Sequence, residues 1–338
     1  MKYFKASNVF VILLCLLGCS RKPTQPEHTN IYDINNTTYI HPQLISTIHV
    51  PYSYHWFNIV DTLAYLVSYS GQLSVFNIAN PYNAYLVKTK NLNIDQFGLM
   101  AFCADNDIVC AAGQPGKLNV FSFSDTMPLV ASIDQWQIDD MILKDKYLYA
   151  ANANIGYGLD VYDVNVPGSI NLICRLPNNY YFGVIKFVND TAYIVQDNRV
   201  RCVDISNPAT VHLIRDYIAR SSISNIALSG DIIYTLEDAN AVQGIPGGLV
   251  KYRILNDFLR EEVRDENYAE SQNYLDICGN YIFILSYTNI HILTAPADVN
   301  PKEIGRYSHH DINGMKIKGD FIFANCSWKG DVFIIKYR

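Results

Sequence analysis

The sequence predicts an all-β protein, a seven-bladed β-propeller of four-stranded antiparallel blades. A short strand pattern recurs seven times, with separations of 41 to 49 residues between copies, and this period is typical of propeller blades. Each copy follows a tight hairpin pattern that is rich in Asp, Asn and Gly. The composition agrees, because 25 tyrosines and a 13% aromatic content favour strands over helices.

The recurring strand has the form Gly-x-apolar-x-apolar and is interpreted as the third strand of each blade. Its aligned apolar residues are Leu73, Leu118, Leu159, Val200, Leu249, Ile290 and Val332. The strand before it, the second of the blade, contains an apolar column made of Tyr65, Val109, Tyr149, Tyr193, Tyr234, Phe283 and Phe323. This regular spacing predicts a closed ring rather than a sandwich.

The first strand of each blade lies before the hairpin turn and shows apolar residues at period two. One column contains Phe57, Ala101, Met141, Ile185, Ile226, Leu275 and Met315, and the next contains Ile59, Cys103, Leu143, Phe187, Leu228, Ile277 and Ile317. Such alternation indicates a strand with one face packed in a core.

The fourth strand follows a turn that contains proline in most copies, whereas the fifth copy has Asn256 and Asp257 there. The last copy ends at Arg338, directly after its third strand, and so lacks a fourth. The segment HPQLIS at 41–46 is similar to NPKEIG at 300–305, where a fourth strand starts. We therefore predict that the N-terminal strand, about 44 to 50, completes the last blade and closes the ring.

The repeat resembles a known family. The segment RCVDISNP at 201–208 is close to the motif of LVIVD-repeat proteins, which are extracytoplasmic bacterial and archaeal β-propellers, and LSVFNIANP at 73–81 is a looser copy. The resemblance covers about residues 44 to 338. It implies a fold and a location outside the cytoplasm rather than an activity.

The N-terminal residues are predicted to form an export signal. Lys2 and Lys5 precede a nine-residue apolar run from Val9 to Leu17, which is too short to span a bilayer. The run ends in LLGC, which looks like the lipobox of bacterial lipoproteins, so we expect cleavage before Cys19 and lipidation of that cysteine.

The predicted organisation is a signal peptide at 1–18, a flexible tether at 19–43 and the propeller at 44–338. The expected location is the cell envelope, with the outer membrane or cell surface favoured over the inner membrane.

Charge and motifs limit the function classes. The chain carries 26 basic and 32 acidic residues, a net charge of −6, and has no basic stripe for nucleic acid. It contains no G-x-S-x-G, no H-E-x-x-H and no phosphate-binding glycine loop. We therefore predict a non-catalytic binding or assembly scaffold for an envelope protein or glycan, without cofactor or metal.

Binding residues are expected at the end of the ring that carries the long loops, because loops on a rigid scaffold commonly bind ligands. Exposed aromatic side chains there could stack on sugars or anchor a protein. The candidates are Tyr54, Trp56, Trp136, Tyr180, Tyr181, Tyr274, His309, His310 and Trp328. Alternatively, Trp56 and Tyr274 begin inner strands and simply close the blade interfaces.

A second function class is an enzyme on the same scaffold. A glycan hydrolase or lyase would use acidic residues at the channel mouth, such as Asp139, Asp140 or Asp311. The simpler interpretation is that Asp139, Asp140, Asp276 and Lys316 are polar residues lining the channel.

Six cysteines lie within the predicted propeller, mostly in strands, and buried free thiols are expected. Cys103 and Cys110 flank a turn placed at Asp105 and Asn106, which predicts a diagonal rather than an opposite arrangement.

Overall fold

The computed structural model describes residues 39–338 apart from 55, 95–97, 114–115, 136, 153–157, 166–167, 178–182, 256–257, 269–273, 287–288, 296–299, 310 and 327. The predicted signal peptide and most of the predicted tether, including Cys19, therefore lie outside the described residues. Within the described ranges, no helix has both the length and the apolar character needed to cross a membrane.

The described chain forms strands joined by turns and three short 3-10 helices. Blade one contains β2 (Trp56–Val60), β3 (Leu63–Val67), β4 (Gln72–Asn77) and β5 (Tyr85–Asn91). Blade two contains β6 (Leu99–Ala104), β7 (Ile108–Gly113), β8 (Lys117–Ser122) and β9 (Leu129–Asp134). Blade three contains β10 (Ile138–Lys144), β11 (Tyr147–Asn152), β12 (Gly158–Asp163) and β13 (Asn171–Leu176). Blade four contains β14 (Ile185–Val188), β15 (Thr191–Gln196), β16 (Arg199–Asp204) and β17 (His212–Ile218).

The remaining three blades repeat the plan. Blade five contains β18 (Ile223–Ser229), β19 (Ile232–Glu237), β20 (Gly248–Leu255) and β21 (Phe258–Asp265). Blade six contains β22 (Tyr274–Cys278), β23 (Tyr281–Ser286), β24 (Asn289–Thr294) and β25 (Glu303–Ser308). Blade seven contains β26 (Gly314–Lys318), β27 (Phe321–Cys326), β28 (Asp331–Lys336) and the N-terminal strand β1 (Gln43–His49). The 3-10 helices are Pro81–Asn83, Pro208–Thr210 and Glu266–Tyr268.

The predicted seven-bladed architecture and its closure are confirmed. Seven separate four-stranded antiparallel sheets form, and six of them use consecutive strands. The seventh has the order β1-β28-β27-β26, so the N-terminal strand supplies its outer position. Because β1 pairs with β28 from Gln43↔Lys336 to His49↔Asp331, the third strand of blade seven is not left as an open edge.

The chain begins to contact the propeller before β1. Ile40 forms a parallel bridge to Gly305 of blade six, and its side chain packs against the core between blades six and seven. A Cβ atom at Gly305 would lie 2.9 Å from the Ile40 Cβ, so glycine is required for this close approach. The N-terminal segment therefore joins two blades as well as completing one.

The core consists of seven clusters, each between two neighbouring blades. Blades one and two, for example, bury Tyr65 against Phe102 and Val109. The second-strand column found in the sequence supplies some of the largest fully buried side chains, including Tyr65, Tyr234 and Phe283. Sheet-on-sheet packing around the ring thus explains why this column is apolar in every copy.

The prediction for Cys103 and Cys110 was wrong in register, since the two residues lie directly opposite each other. Asp105 closes the turn through a backbone hydrogen bond from its N–H to the Ile108 carbonyl, at 2.9 Å. Asn106 and Asp107 are therefore the central residues, one position later than expected, which moves the pairing by two residues. All six propeller cysteines are free, and Cys103, Cys110, Cys202 and Cys326 are buried as expected, whereas Cys174 and Cys278 are only partly buried.

The outer strand of every blade contains a β-bulge at the same place, a feature absent from the sequence prediction. In blade one, Val75 pairs with Lys88 but the next residue, Phe76, pairs with Leu86, which leaves Val87 as the extra residue. The equivalent extra residues are Ile45, Val130, Ile173, Ile214, Glu262 and Ile304. A bulge at this point increases the local twist of each outer strand.

Polar pairs cross from the third to the fourth strand in several blades. Asp160 faces Arg175 in blade three, whereas blade four has the reverse order, Arg201 facing Asp216. The Asp160 side chain is fully buried and forms two hydrogen bonds with the Arg175 guanidinium, at 2.5 and 2.9 Å. Removing one partner of such a buried pair is strongly destabilising, because the other charge then stays buried without compensation.

Candidate functional site: the long-loop end and the central channel

The two ends of the ring differ in the length of their connections. At one end, here the short-turn end, two-residue turns such as Asn189–Asp190 join first and second strands. The opposite end, here the long-loop end, carries the connections between blades and the loops between second and third strands, including residues 238–247. Side chains at the long-loop end therefore project from the longer segments.

Three of the predicted binding aromatics pack within the fold. Tyr54 has no exposed surface, and its hydroxyl donates a 2.6 Å hydrogen bond to the Asp331 carbonyl of blade seven. Trp56 packs against the core between blades one and two, and Tyr274 packs against the core between blades six and seven. Trp56 and Tyr274 also line the channel, so they retain a surface that a ligand could reach.

The other predicted binding residues are exposed, partly buried or outside the described residues. Trp328 is 80% exposed in the loop between β27 and β28. His309 is partly buried, and its ring centroid lies 4.2 Å from that of Phe333. Trp136, Tyr180, Tyr181 and His310 lie outside the described residues.

The first strands of the seven blades surround a central channel with a cavity of about 790 Å³. Its lining extends from Trp56 and Tyr274 at the long-loop end to Val60 and Asp105 at the short-turn end. This volume is within the usual range for small-molecule sites. The channel is thus a second candidate site, distinct from the loop surface.

The predicted channel positions of Asp139, Asp140, Asp276 and Lys316 are confirmed. Sequence reasoning missed Lys186 and Asn325, which also line the cavity. A signal for Lys186 was present, because the position between the two apolar columns of the first strand holds Lys186, Asp276 and Lys316 in blades four, six and seven. Asn325 lies on the second strand β27 and gave no such signal.

Asp140 is held by the backbone of two blades. One carboxylate oxygen accepts a 2.9 Å hydrogen bond from the Met141 N–H and the other a 3.0 Å bond from the Ile185 N–H. Burial raises the pKa of Asp140, while the Ile185 N–H and the charges of Lys316 and Lys186 oppose that rise. Asp140 therefore ties blade three to blade four.

Asp139 lies beside Asp140 at the start of β10. Burial, together with the negative charge of Asp140, raises the pKa of Asp139 to about 6. Burial likewise lowers the pKa of Lys316, and the positive charge of Lys186 acts in the same direction, opposed by Asp276 and Asp140. The channel thus contains acidic and basic side chains that lie close enough to shift each other's pKa.

Replacing Asp139 with Asn is expected to change the pH dependence of stability. Because the folded-state pKa is raised from 3.8 to about 6, the wild-type protein loses stability as pH rises through this interval. Asn cannot ionise, so Asp139→Asn should raise Tm by about 1 to 3 °C near pH 8 and by less near pH 4. Thermal melts of both proteins across this range test the expectation. A Tm difference that does not vary with pH would contradict it.

The three acids named for an enzyme occupy different surroundings. Asp139 and Asp140 line the channel, but both oxygens of Asp140 accept backbone hydrogen bonds. Asp311 lies in the loop before β26 and forms a 3.0 Å ion pair with Lys329. Among the described residues, no group of three or more His, Cys, Asp or Glu side chains is placed to hold a metal ion.

The fold and the channel define the class, a seven-bladed β-propeller. The chain is similar in structure to BamB from Moraxella catarrhalis, with a TM-score of 0.62 and 12% identity over 88% of this chain and 98% of that one. It is equally similar to the computationally designed Ika8 protein, with a TM-score of 0.62 and 12% identity over 88% of this chain and all of the other. At this identity the likeness concerns the fold alone.

No protein-family model matches the chain, and no curated protein matches its sequence. The resemblance to LVIVD repeats therefore stays a prediction.

Proposed function

We propose that this protein is a lipid-anchored binding or assembly module of the bacterial cell envelope that recognises a protein or glycan through its long-loop end. The lipobox-like LLGC at 16–19 supports the anchor, because it follows a short apolar run with basic residues before it. The rigid ring supports the binding role, because it presents many loops on a scaffold closed by β1.

The observation that carries the proposal is the position at which the chain joins the ring. Gln43 pairs with Lys336, and Lys336 pairs with Phe321 directly after the turn at Gly319 and Asp320. The N-terminal segment thus enters at the short-turn end. The chain therefore joins the ring at the end opposite to the proposed recognition loops.

Exposed apolar side chains at the long-loop end support recognition. Trp328 is 80% exposed and Val242, in the loop of blade five, is 97% exposed. Large aromatic side chains dominate binding energy at protein interfaces when they become buried there. Trp136, Tyr180 and Tyr181 are predicted to belong to the same surface.

Cys19→Ser should release the protein from membranes and prevent normal signal processing. The thiol is the proposed attachment point for a diacylglycerol group, whose two acyl chains are enough for durable anchoring. Membrane fractionation and mass spectrometry of the mature N-terminus measure both effects. Membrane association of Cys19→Ser through an acyl group would contradict the anchor.

Removing aromatic side chains at the long-loop end should weaken partner capture. We expect Trp136→Ala with Tyr181→Ala, and separately Trp328→Ala, to reduce capture from the native envelope by about tenfold or more. Quantitative affinity capture with a Tm control measures this. The matched control is Tyr82→Ala with Tyr85→Ala, which removes two tyrosines, 56% and 57% exposed, near the short-turn end.

The control should capture the partner as well as wild type does. Equal loss in control and long-loop variants would place recognition elsewhere. A large fall in Tm for the long-loop variants would show that these aromatic side chains stabilise the fold rather than bind a partner.

A further inference from the structure

We propose that the central channel binds a hydroxylated organic oxyanion, a sugar acid or a sugar phosphate, between Lys186 and Lys316. This site goes beyond the proposed recognition by loops, because its residues lie on the inner strands rather than on the rim. The inference depends on the balance of hydrogen-bond donors and acceptors in the cavity.

The two lysines supply unused donors. Lys186 and Lys316 both line the cavity and are partly buried. Among the described residues, neither ammonium group takes part in a hydrogen bond or an ion pair. The interaction between their positive charges contributes to the lowered pKa of Lys316, so the groups are close enough to repel each other. An anion between them would remove this repulsion.

The neighbouring carboxylates do not fill that place. Asp140 uses both oxygens to accept backbone N–H groups from Met141 and Ile185. One oxygen of Asp276 likewise accepts the Ile277 N–H, at 2.9 Å. Asp105 and Asp139 also line the cavity, so carboxylates outnumber the two ammonium groups there, but in the described part of the chain none of the four acids forms an ion pair with Lys186 or Lys316. Both ammonium groups therefore remain available to an additional acceptor.

Asn325 indicates that the ligand also carries hydroxyl groups. It is 4% exposed and lines the cavity, and its side-chain oxygen has no hydrogen-bond partner among the described residues. A buried acceptor without a partner is unfavourable, because it has given up its hydrogen bonds to water without replacing them. A ligand hydroxyl would donate to it.

The lining of the cavity agrees with a polyol bearing one anionic group. Asn58 accepts the Ile59 N–H with its side-chain oxygen, at 2.9 Å, which leaves its amide N–H groups available to a ligand oxygen. Trp56 and Tyr274 provide aromatic surface at the long-loop end. A volume of about 790 Å³ accommodates a molecule of at least monosaccharide size.

Isothermal titration calorimetry on the full chain in detergent, at constant ionic strength, tests the site. The probes are glucuronate and glucose 6-phosphate, with glucose as the uncharged control and acetate and inorganic phosphate as anions without hydroxyl groups. We expect saturable binding of glucuronate or glucose 6-phosphate, no binding of glucose, and weaker binding of the simple anions. The charged sugar that binds with the higher affinity shows whether the site prefers a carboxylate or a phosphate.

Lys186→Met and Lys316→Met should each weaken this binding by about tenfold or more. Lys318→Met is the matched control, because Lys318 lies on the same strand as Lys316 but outside the cavity lining, and it should leave affinity unchanged. Failure of wild-type protein to bind either charged sugar below about 10 mM overturns the proposal, as does equal binding of glucose. The wild-type titrations decide the matter even if a lysine variant fails to fold. These titrations do not involve the long loops, so a failure of the proposed recognition through the loops would not change their outcome.

Discussion

Deleting residues 39–49 is expected to abolish the folded propeller. The deletion removes β1 and the Ile40 contact with Gly305, which leaves β28 as an unpaired edge and opens the core between blades six and seven. The loss should be comparable with the whole stability of an ordinary domain, about 5 to 15 kcal/mol, because closure couples the first and last blades. Thermal melts by circular dichroism and size-exclusion chromatography measure it.

The control deletes residues 20–38, which belong to the predicted tether and lie outside the described residues, and should leave Tm nearly unchanged. Gly305→Val provides a graded test, because its Cβ would lie 2.9 Å from the Ile40 Cβ and displace that contact while sparing β1. We expect an intermediate loss. A cooperative melt of the 39–49 deletion within a few degrees of wild type would contradict the closure.

Asp160→Ala is expected to destabilise the protein by about 3 to 5 kcal/mol, because it removes a buried carboxylate that pairs with the Arg175 guanidinium. The carboxylate is fully buried and also accepts hydrogen bonds from Gln135 and the Tyr162 hydroxyl, at 3.3 and 3.2 Å. Chemical denaturation monitored by fluorescence measures the change. Asp160→Leu combined with Arg175→Leu should recover part of the loss.

Asp190→Ala is the matched control for Asp160→Ala. Asp190 forms an ion pair with Lys144 at 2.8 Å, but its side chain is 69% exposed. An exposed pair contributes about 0 to 1 kcal/mol, so the control should lose no more than that. Losses of equal size at Asp160 and Asp190 would show that burial does not determine the contribution of the blade-three pair.

The ring was predictable because its signal is repeated and strictly periodic. The column that contains Tyr65, Tyr149 and Tyr234 is buried because each member packs between two blades, and the same constraint acts in every copy. Closure was predictable because the missing fourth strand had a sequence match at the N-terminus. Both inferences depend on comparison between copies and do not require side-chain detail.

Features particular to one blade were harder to predict. The turn of blade two is displaced by one residue because Asp105 closes it with both its backbone and its side chain. Comparison with the other copies of the repeat could not predict this displacement. The burial of Tyr54 depends on the path of the connection from blade seven to blade one. Asn325 lies on a second strand, so the spacing that marks Lys186 as a channel residue gave no indication that Asn325 lines the same cavity.

The bulge in each outer strand has a consequence for contacts between copies of the ring. When two copies meet side by side, the exposed outer strands, with side chains such as Leu86 and Leu129, are the edges that come into contact. A straight foreign strand could follow β5 over Lys88–Asn91 but would lose register at Val87. A sheet formed between two copies would therefore end after a few residues, so the bulges interrupt amyloid-like pairing at the outer strand of every blade.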